Sequence, residues 1–347
     1  MNLINLPHEL LQMITNHLPR QSISRLCLTC TQGYGLFLPT LYRHLELGHR
    51  TQIKQLAQGL IRNRFLKETV QQHTHILTLS CRQGGNSHDL IILLFNRLPN
   101  IKQLYFRDFL NLSVQRIVKV LHRLPNLTLL DFSYCDLKES EEVVVVMLEG
   151  ITTLNLVWTD FSTAAIRQLW MMTPNLTRVH LGANHNRQKL TNDTALISLT
   201  ESCPRINDLE VSLQQVQEDS ICKLIQTYGP QLERLSVRCE GNDTLRTIAH
   251  HTQSLQQLIL RCNYSGYYNH HVMHIFQQCQ SLTHLEMVSW PLQDVPTVVL
   301  DQLRYRHIET STSSSISAPT SSYIEGIKRT VALDRLDLQE IRRLCLS

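Results

Sequence analysis

The sequence predicts an α/β chain: a repeat solenoid built on a curved parallel sheet with outer helices, preceded by a small all-α module. Three observations carry that expectation. A short apolar phrase recurs at near-constant spacing from residue 75 onward. Each copy is followed by a stretch of helical periodicity. The first 40 residues lack the phrase and read as short helices bounded by prolines.

The phrase is an apolar residue, two variable positions, an apolar residue, one variable position and a third apolar residue. It reads NIKQLYF at 100, NLTLLDF at 126, GITTLNL at 150, NLTRVHL at 175, RINDLEV at 205, QLERLSV at 231, SLQQLIL at 254 and SLTHLEM at 281. THILTLS at 74 is a weaker first copy, ALDRLDL at 332 a late one, and LYRHLEL at 41 a possible leading edge. The middle apolar residues are Leu77, Leu104, Leu130, Leu154, Val179, Leu209, Leu235, Leu258 and Leu285, in steps of 23 to 30 residues. That spacing lies near the leucine-rich-repeat period of about 20–29 residues. A single strand–helix pair cannot bury its apolar face, whereas stacked copies share one core. Leu112, Ile117, Val120 and Leu121 suit a helix face behind one strand, as do Ile166, Leu169 and Trp170 behind another. A doubly wound sheet would also alternate strands and helices, but with more continuously apolar strands.

From about residue 70 to 290 the pattern resembles the leucine-rich repeats of eukaryotic intracellular receptors, especially the cysteine-containing subtype. The resemblance rests on ESCPRINDLEV and QQCQSLTHLEM, where a Cys precedes the strand, and on TNDTALISL and QEDSICKLI, where an Asp is expected to open the helix. Cys203 and Cys279 then read as buried, small apolar residues. The solenoid is expected to run from 46 to 347, interrupted at 310–322 by TSTSSSISAPTSS, a Ser/Thr tract that reads as a flexible spacer.

Residues 1–45 form the helical module. Pro7 is expected in the first turn of a helix that Pro19 stops, with Glu9 at its positive end. A second helix is expected from Ser22, with Ile23, Leu26, Cys27 and Cys30 on one face, and GYGLFLP is expected to break the chain after it. So few residues make a thin core, so the module should gain stability by docking. Leu6, Pro7, Glu9, Leu10, Ile14, Leu18, Pro19, Leu26 and Cys30, in this order, resemble an F-box. The resemblance implies that Leu6, Pro7, Glu9, Leu10, Ile14, Leu18 and Pro19 contact an SKP-type adaptor, which tethers the chain to a cullin scaffold. The plainer reading is a helix that caps the first repeat.

Composition excludes several other functions. Net charge is +4 and there is no basic stripe, so nucleic acid is not an expected partner. The longest strongly apolar run, Val143 to Leu148, is far too short to span a membrane. Pro7, His8 and Glu9 interrupt the apolar N-terminus, which argues against a secretory signal. The ten cysteines are then expected reduced, in cytoplasm or nucleus. The CLTC at Cys27–Cys30 has metal-like spacing but no second pair nearby, and the 17 histidines include no ligand motif. No phosphate loop, dinucleotide fingerprint or nucleophile elbow is present. No cofactor, metal or intrinsic enzyme activity is expected.

Two functions remain. One is the substrate-recognition subunit of an SKP–cullin–F-box ubiquitin ligase, with ubiquitin transfer on partner subunits. The other is a leucine-rich-repeat scaffold or inhibitor with no role in ubiquitylation. For either, strand alternation puts the residues flanking the inward pairs on the open, concave face. The expected substrate contacts there are Tyr105, Arg107, Trp158, His180, Arg234, Arg238, Arg261 and Trp290. Arg238 and Arg261 share a column of adjacent repeats, with Arg234 expected close by, and suit an acidic or phosphorylated segment.

Overall fold

A computed structural model describes residues 6–80, 88–138, 146–182, 189–239, 241–262, 269–291, 295–301 and 328–346. The Ser/Thr tract at 310–322 lies outside them. The chain divides into two compact units, Met1–Asn175 and Leu176–Ser347. Each is a stack of leucine-rich repeats, a parallel sheet backed by helices.

The first unit opens with helices α1 (His8–Asn16), α2 (Arg20–Cys27) and α3 (Thr31–Arg43). Pro7 stands at the N-cap of α1, one place before the first turn expected of it, and Pro19, expected as a stop, is itself the N-cap of α2, which begins at Arg20 and not at Ser22. The GYGLFLP stretch does not break the chain: α3 runs straight through it, with Pro39 inside. Gly33 lets α3 start close to α2, because a Cβ there would lie 3.1 Å from the Leu26 carbonyl. The Cys30 thiol caps α3 by accepting from the Gly33 N–H at 3.3 Å, and Cys27 is buried. Leu11, Ile23, Cys27 and Phe37 form the module's core, and Leu6, Leu18, Leu26, Leu36 and Leu41 pack around it.

Strand β1 (His44–Leu47) follows without a linker, so it straddles the boundary drawn at residue 45. Helices α4 (Arg50–Arg62) and α5 (Arg64–His73) lead to β2 (Ile76–Ser80) and then α6 (His88–Phe95). Strands β3 (Gln103–Arg107), β5 (Leu129–Asp131) and β7 (Thr153–Asn155) complete a parallel sheet in the order β1-β2-β3-β5-β7. Between them lies a second, small parallel sheet, β4 (Leu112–Ser113), β6 (Asp136–Lys138) and β8 (Asp160–Phe161). Leu112 therefore belongs to a strand, ahead of α7 (Val114–Leu121), and not to the helix face expected of it. Helix α8 (Thr163–Met172) closes this unit.

In the second unit β9 (Arg178–Leu181), β10 (Asp208–Val211), β11 (Arg234–Cys239), β12 (Gln257–Cys262) and β13 (His284–Pro291) run parallel. Helices α9 (Lys189–Ser202), α10 (Glu218–Tyr228), α11 (Asn242–His251) and α12 (Asn269–Gln278) connect them. The last strand, β14 (Lys328–Leu333), pairs with β13 antiparallel and leads into α13 (Arg335–Leu346). The late phrase at 332 is thus not another parallel repeat. Leu336, its expected inward residue, is an exposed helical side chain.

The repeat phrase sets the register within each unit. Leu77, Leu104, Leu130 and Leu154 are lateral partners, as are Val179, Leu209, Leu235, Leu258 and Leu285. All are fully buried. At each repeat entry one carbonyl accepts two successive N–H groups from the next repeat. Lys102 takes Thr128 and Leu129, Asn207 takes Glu233 and Arg234, and Gln256 takes Thr283 and His284. Six residues before the marker sits a buried small or apolar residue: Thr173, Cys203, Gly229, Thr252 and Cys279. Burial pushes the Cys203 thiol up to about 12, which fits a packing role.

Acidic residues link neighbouring helices. Asp193 was expected to open α9, but it lies inside that helix and accepts the Gln217 N–H at the start of α10, at 2.8 Å. Glu218 repeats the device one step on, accepting the Thr244 N–H (2.8 Å) and hydroxyl (3.0 Å) of α11. These carboxylates satisfy orphan N–H groups where a cap would otherwise be needed.

Gly229 is the tightest approach to another stretch of backbone. A Cβ on it would lie 2.6 Å from the His251 carbonyl oxygen, and backbone cannot swing away. Gly229→Ala should therefore destabilise the second unit by about 1–3 kcal/mol, the usual cost of overpacking. Equilibrium urea unfolding of variant and wild type measures this; an unchanged midpoint would mean the backbones can part cheaply.

Candidate functional site

The two units each present an open sheet face lined by the variable positions of the phrase, and the two faces differ chemically. On the first, Arg107 of β3 makes a bidentate pair with Asp131 of β5, at 2.9 and 3.0 Å. Asp131 is buried. It also accepts from the Asn155 amide (2.9 Å) and the Ser133 N–H (2.8 Å). Asn155 in turn accepts the Val157 N–H at 3.1 Å. The Arg107 guanidinium lies 5.4 Å from the centre of the Tyr105 ring, and the Tyr105 hydroxyl donates to Gln103. This network is internally satisfied. Two of the contacts expected to bind a substrate, Tyr105 and Arg107, are held in it.

Just past the strands, Tyr134 and Trp158 occupy the same position of adjacent repeats, with φ of 62° and 56°. Both are exposed. Bulky residues rarely adopt a left-handed backbone, so these aromatics are displayed at some conformational cost. Trp158 was anticipated from sequence, whereas Tyr134 was not.

The second face is less complete. Asp208 of β10 takes Arg178 on Oδ2 at 2.6 Å and Arg234 at 3.6 Å. Its Oδ1 faces His180 Nε2 at 3.9 Å, too far for a hydrogen bond. Arg261 of β12 reaches the Glu210 carboxylate at 3.4 Å. Four buried side-chain atoms on this face have no hydrogen-bond partner: His180 Nε2, Asp208 Oδ1, Ser236 Oγ and Arg261 Nε. Each such buried group costs about 1–3 kcal/mol when left unpaired. Burial holds the His180 imidazole below its usual range, against the opposing pull of Glu210 and Asp208.

The expected residues of this face separate into three rows. Arg238 and Arg261 are lateral partners, as their spacing implies. Arg234 is not beside them. It sits four residues earlier on the same strand, about 13 Å away along the chain direction, and is engaged by Asp208. His180 lies in the row between, aligned with Glu210.

Trp290 is not on this face at all: its side chain is completely buried. The cause is a bulge between Met287 and Trp290, where three steps on β13 match two on β14 and Ser289 takes φ 55°. The extra residue shifts the alternation and turns Trp290 into the core. Sequence reasoning also missed Asp208, which occupies the position just before the marker. Alternation places that position outward as well, so the signal was present.

In the helical module, α1 packs on α3, and α3 packs on α5 and β1. Tyr34 of α3 stacks on Phe65 of α5, with ring centres 6.5 Å apart. Helix α3 thus joins the module to the repeats. Of the residues expected to face an adaptor, Leu6 and Leu18 pack against the module's own core. Pro7, Glu9 and Pro19 are exposed. Leu10 and Ile14 are 45% and 39% exposed, and Met13, between them on the same helix face, is 61% exposed. The apolar stripe therefore runs through Leu10, Met13 and Ile14. Among the described residues no helix is long and apolar enough to cross a membrane.

No family model matches the chain, and no curated protein sequence matches it. Among solved structures it is similar to LegL7, a leucine-rich repeat-containing protein of Legionella pneumophila. Identity there is 13% and the TM-score 0.43, over 72% of this chain and 87% of that one. It is also similar to a chain of the yeast Rad7 and Elc1 complex, at 14% identity and TM-score 0.25, over 68% of this chain and 76% of that one.

Two outcomes test this description. Asp131→Ala leaves Arg107, Asn155 and the Ser133 N–H without their acceptor and should cost about 2–4 kcal/mol in urea unfolding. Asp131→Asn, which keeps one accepting oxygen, should cost less; equal losses would contradict the network. For His180 the folded pKa lies below the unfolded value of about 6.5. Its stabilising contribution is thus fully present above that pH and fades as pH falls. His180→Gln should flatten part of the stability loss between pH 7 and 5, and an identical pH profile would show that His180 titrates normally.

Proposed function

We propose that the chain is the substrate-recognition subunit of an SKP–cullin–F-box ubiquitin ligase. The observation that carries this reading is the stripe Leu10, Met13 and Ile14. The module fills its own core with Leu11, Ile23, Cys27 and Phe37, and it meets the repeats through α3. The stripe serves neither purpose. Spacing of i, i+3 and i+4 on one helix face is how an amphipathic helix seats in a partner's groove. The order of F-box motif residues names the groove: an SKP-type adaptor, and through it a cullin.

In this reading the repeats present the substrate on their open faces, and ubiquitin transfer happens on other subunits. The receptor's contribution is proximity, which raises the effective concentration of substrate lysines near the charged carrier. A repeat scaffold or inhibitor with no role in ubiquitylation is the second reading. The polar open faces would serve it equally well.

Leu10→Asp/Ile14→Asp separates the two. Burying each side chain in an adaptor is worth about 1.5–3 kcal/mol, so the double variant should bind a purified SKP-type adaptor at least ~100-fold more weakly. Both positions are exposed, so folding should survive, as circular dichroism would check. If wild type captures no adaptor, or the variant captures it equally well, the ligase reading fails and the scaffold reading stands.

A further inference from the structure

A cavity of about 320 Å³ lies where the helical module meets the first repeats, all within the first unit. Ligand sites run about 300–1,000 Å³, so this one suits a compact molecule. Its apolar side is Leu11 of α1 with Leu36 and Phe37 of α3. Its polar side is Thr40 and Arg43 from the end of α3, His73 from the end of α5 and His75 just before β2. Among the described residues no carboxylate lines it. Among the same residues the side chains of Thr40, Arg43 and His73 make no hydrogen bond or ion pair. Arg43 is exposed and Thr40 and His73 are half-buried, so all three can be reached. Residues 1–80 carry eight Lys and Arg against three Asp and Glu, which is +5 in a chain whose net is +4, so the surrounding field favours an anion.

The two rings add a condition. His75 Nδ1 lies 3.3 Å from the Asn100 carbonyl oxygen, which can only accept, so the neutral ring keeps its proton on Nδ1. Nε2 then holds a lone pair and donates only after taking up a proton. Burial first, and the nearby His75 second, hold the His73 imidazole below its usual range. An adjacent negative charge would favour its protonated form. Around the rings, Arg43 shares an adjoining cavity with Arg20, His44 and Glu46, and the Lys102 N–H at the entry to β3 donates to the His75 carbonyl.

We propose that this cavity binds a compact apolar carboxylate, with its charged end on Arg43, Thr40 and the two imidazoles and its apolar end against Leu11, Leu36 and Phe37. Among the described lining residues Arg43 is the one fixed positive charge. A monoanion is therefore matched, and a phosphomonoester, with nearly two charges, is not. The bound molecule touches α1, α3, α5 and the start of β2 together, so it braces the module on the repeats. The site goes beyond substrate recognition and does not depend on adaptor capture.

The probe is octanoate, titrated into the purified full chain by isothermal titration calorimetry, with octanol and acetate as controls for its apolar and charged halves. Wild type should bind one octanoate per chain at pH 7.5, at least tenfold more tightly than octanol or acetate. Affinity should rise at least roughly threefold from pH 7.5 to 6, because both rings gain a donor while a carboxylate stays ionised over that range. Arg43→Gln should weaken octanoate at least roughly tenfold, and His73→Asn/His75→Gln should remove the pH dependence. Arg43 is exposed, so folding should survive, as circular dichroism would check. If that variant does not fold, the octanol and pH comparisons on wild type still decide. The proposal is overturned by the lack of saturable octanoate binding, by octanol binding as tightly as octanoate, or by an affinity that does not rise as pH falls. A folded Arg43→Gln variant that binds like wild type, or a pH dependence that survives the imidazole substitutions, overturns it too.

Discussion

Lateral registry is the constraint on which everything else rests. In each unit a parallel strand meets its neighbour with the middle apolar residue directly beside its counterpart. A slip of one residue would turn every inward leucine outward. The doubled hydrogen bonds at each repeat entry, such as Lys102 accepting Thr128 and Leu129, resist such a slip. Because the inward residues are locked, so are the outward ones. That is why Arg107 finds Asp131, and why Arg238 stands beside Arg261.

Much of this was legible because registry is written as periodicity. The markers from Leu77 to Leu285, the buried Cys203 and Cys279, and the column of Arg238 and Arg261 all follow from counting residues and alternating faces. What was not legible came from local departures. The bulge that buries Trp290 inserts one residue with no glycine to announce it, and Pro291 stands just beyond the turned side chain. Helix α3 runs through Gly33, Gly35 and Pro39, the very residues that ordinarily mark a break; Gly33 serves the approach to α2. The small sheet β4-β6-β8 is too short for a periodic signal. Leu6 and Leu18 share the motif with Leu10 and Ile14, and only packing sorts them into core and surface.

The two open faces show how a carboxylate on an outward row can be fully or only partly satisfied. Asp131 has its full complement of donors and serves to tie β3, β5 and β7 together. Asp208, in a neighbouring row of the second unit, has one oxygen engaged and one unengaged, and Ser236 is buried without a partner. Buried polar groups are tolerated when a network is complete and become costly when it is not. The incomplete network of the second face is therefore the costlier of the two, while the Arg107–Asp131 pair contributes chiefly to holding its strands.

The reversed strand at the end of the second unit has a consequence for assembly. A stack of parallel repeats is open-ended by nature: its final edge offers the same pairing pattern that each internal strand offers, and invites another copy. Here β14 runs the other way, and α13 follows it, with the Arg342 guanidinium donating to the carbonyls of Phe276, Cys279 and Leu282. Those are the acceptors at the close of α12 and the entry to β13, where a further repeat would dock. Reversed polarity and these donors together occupy the edge of β13 and the close of α12, so a further parallel repeat has no place to stack directly on them.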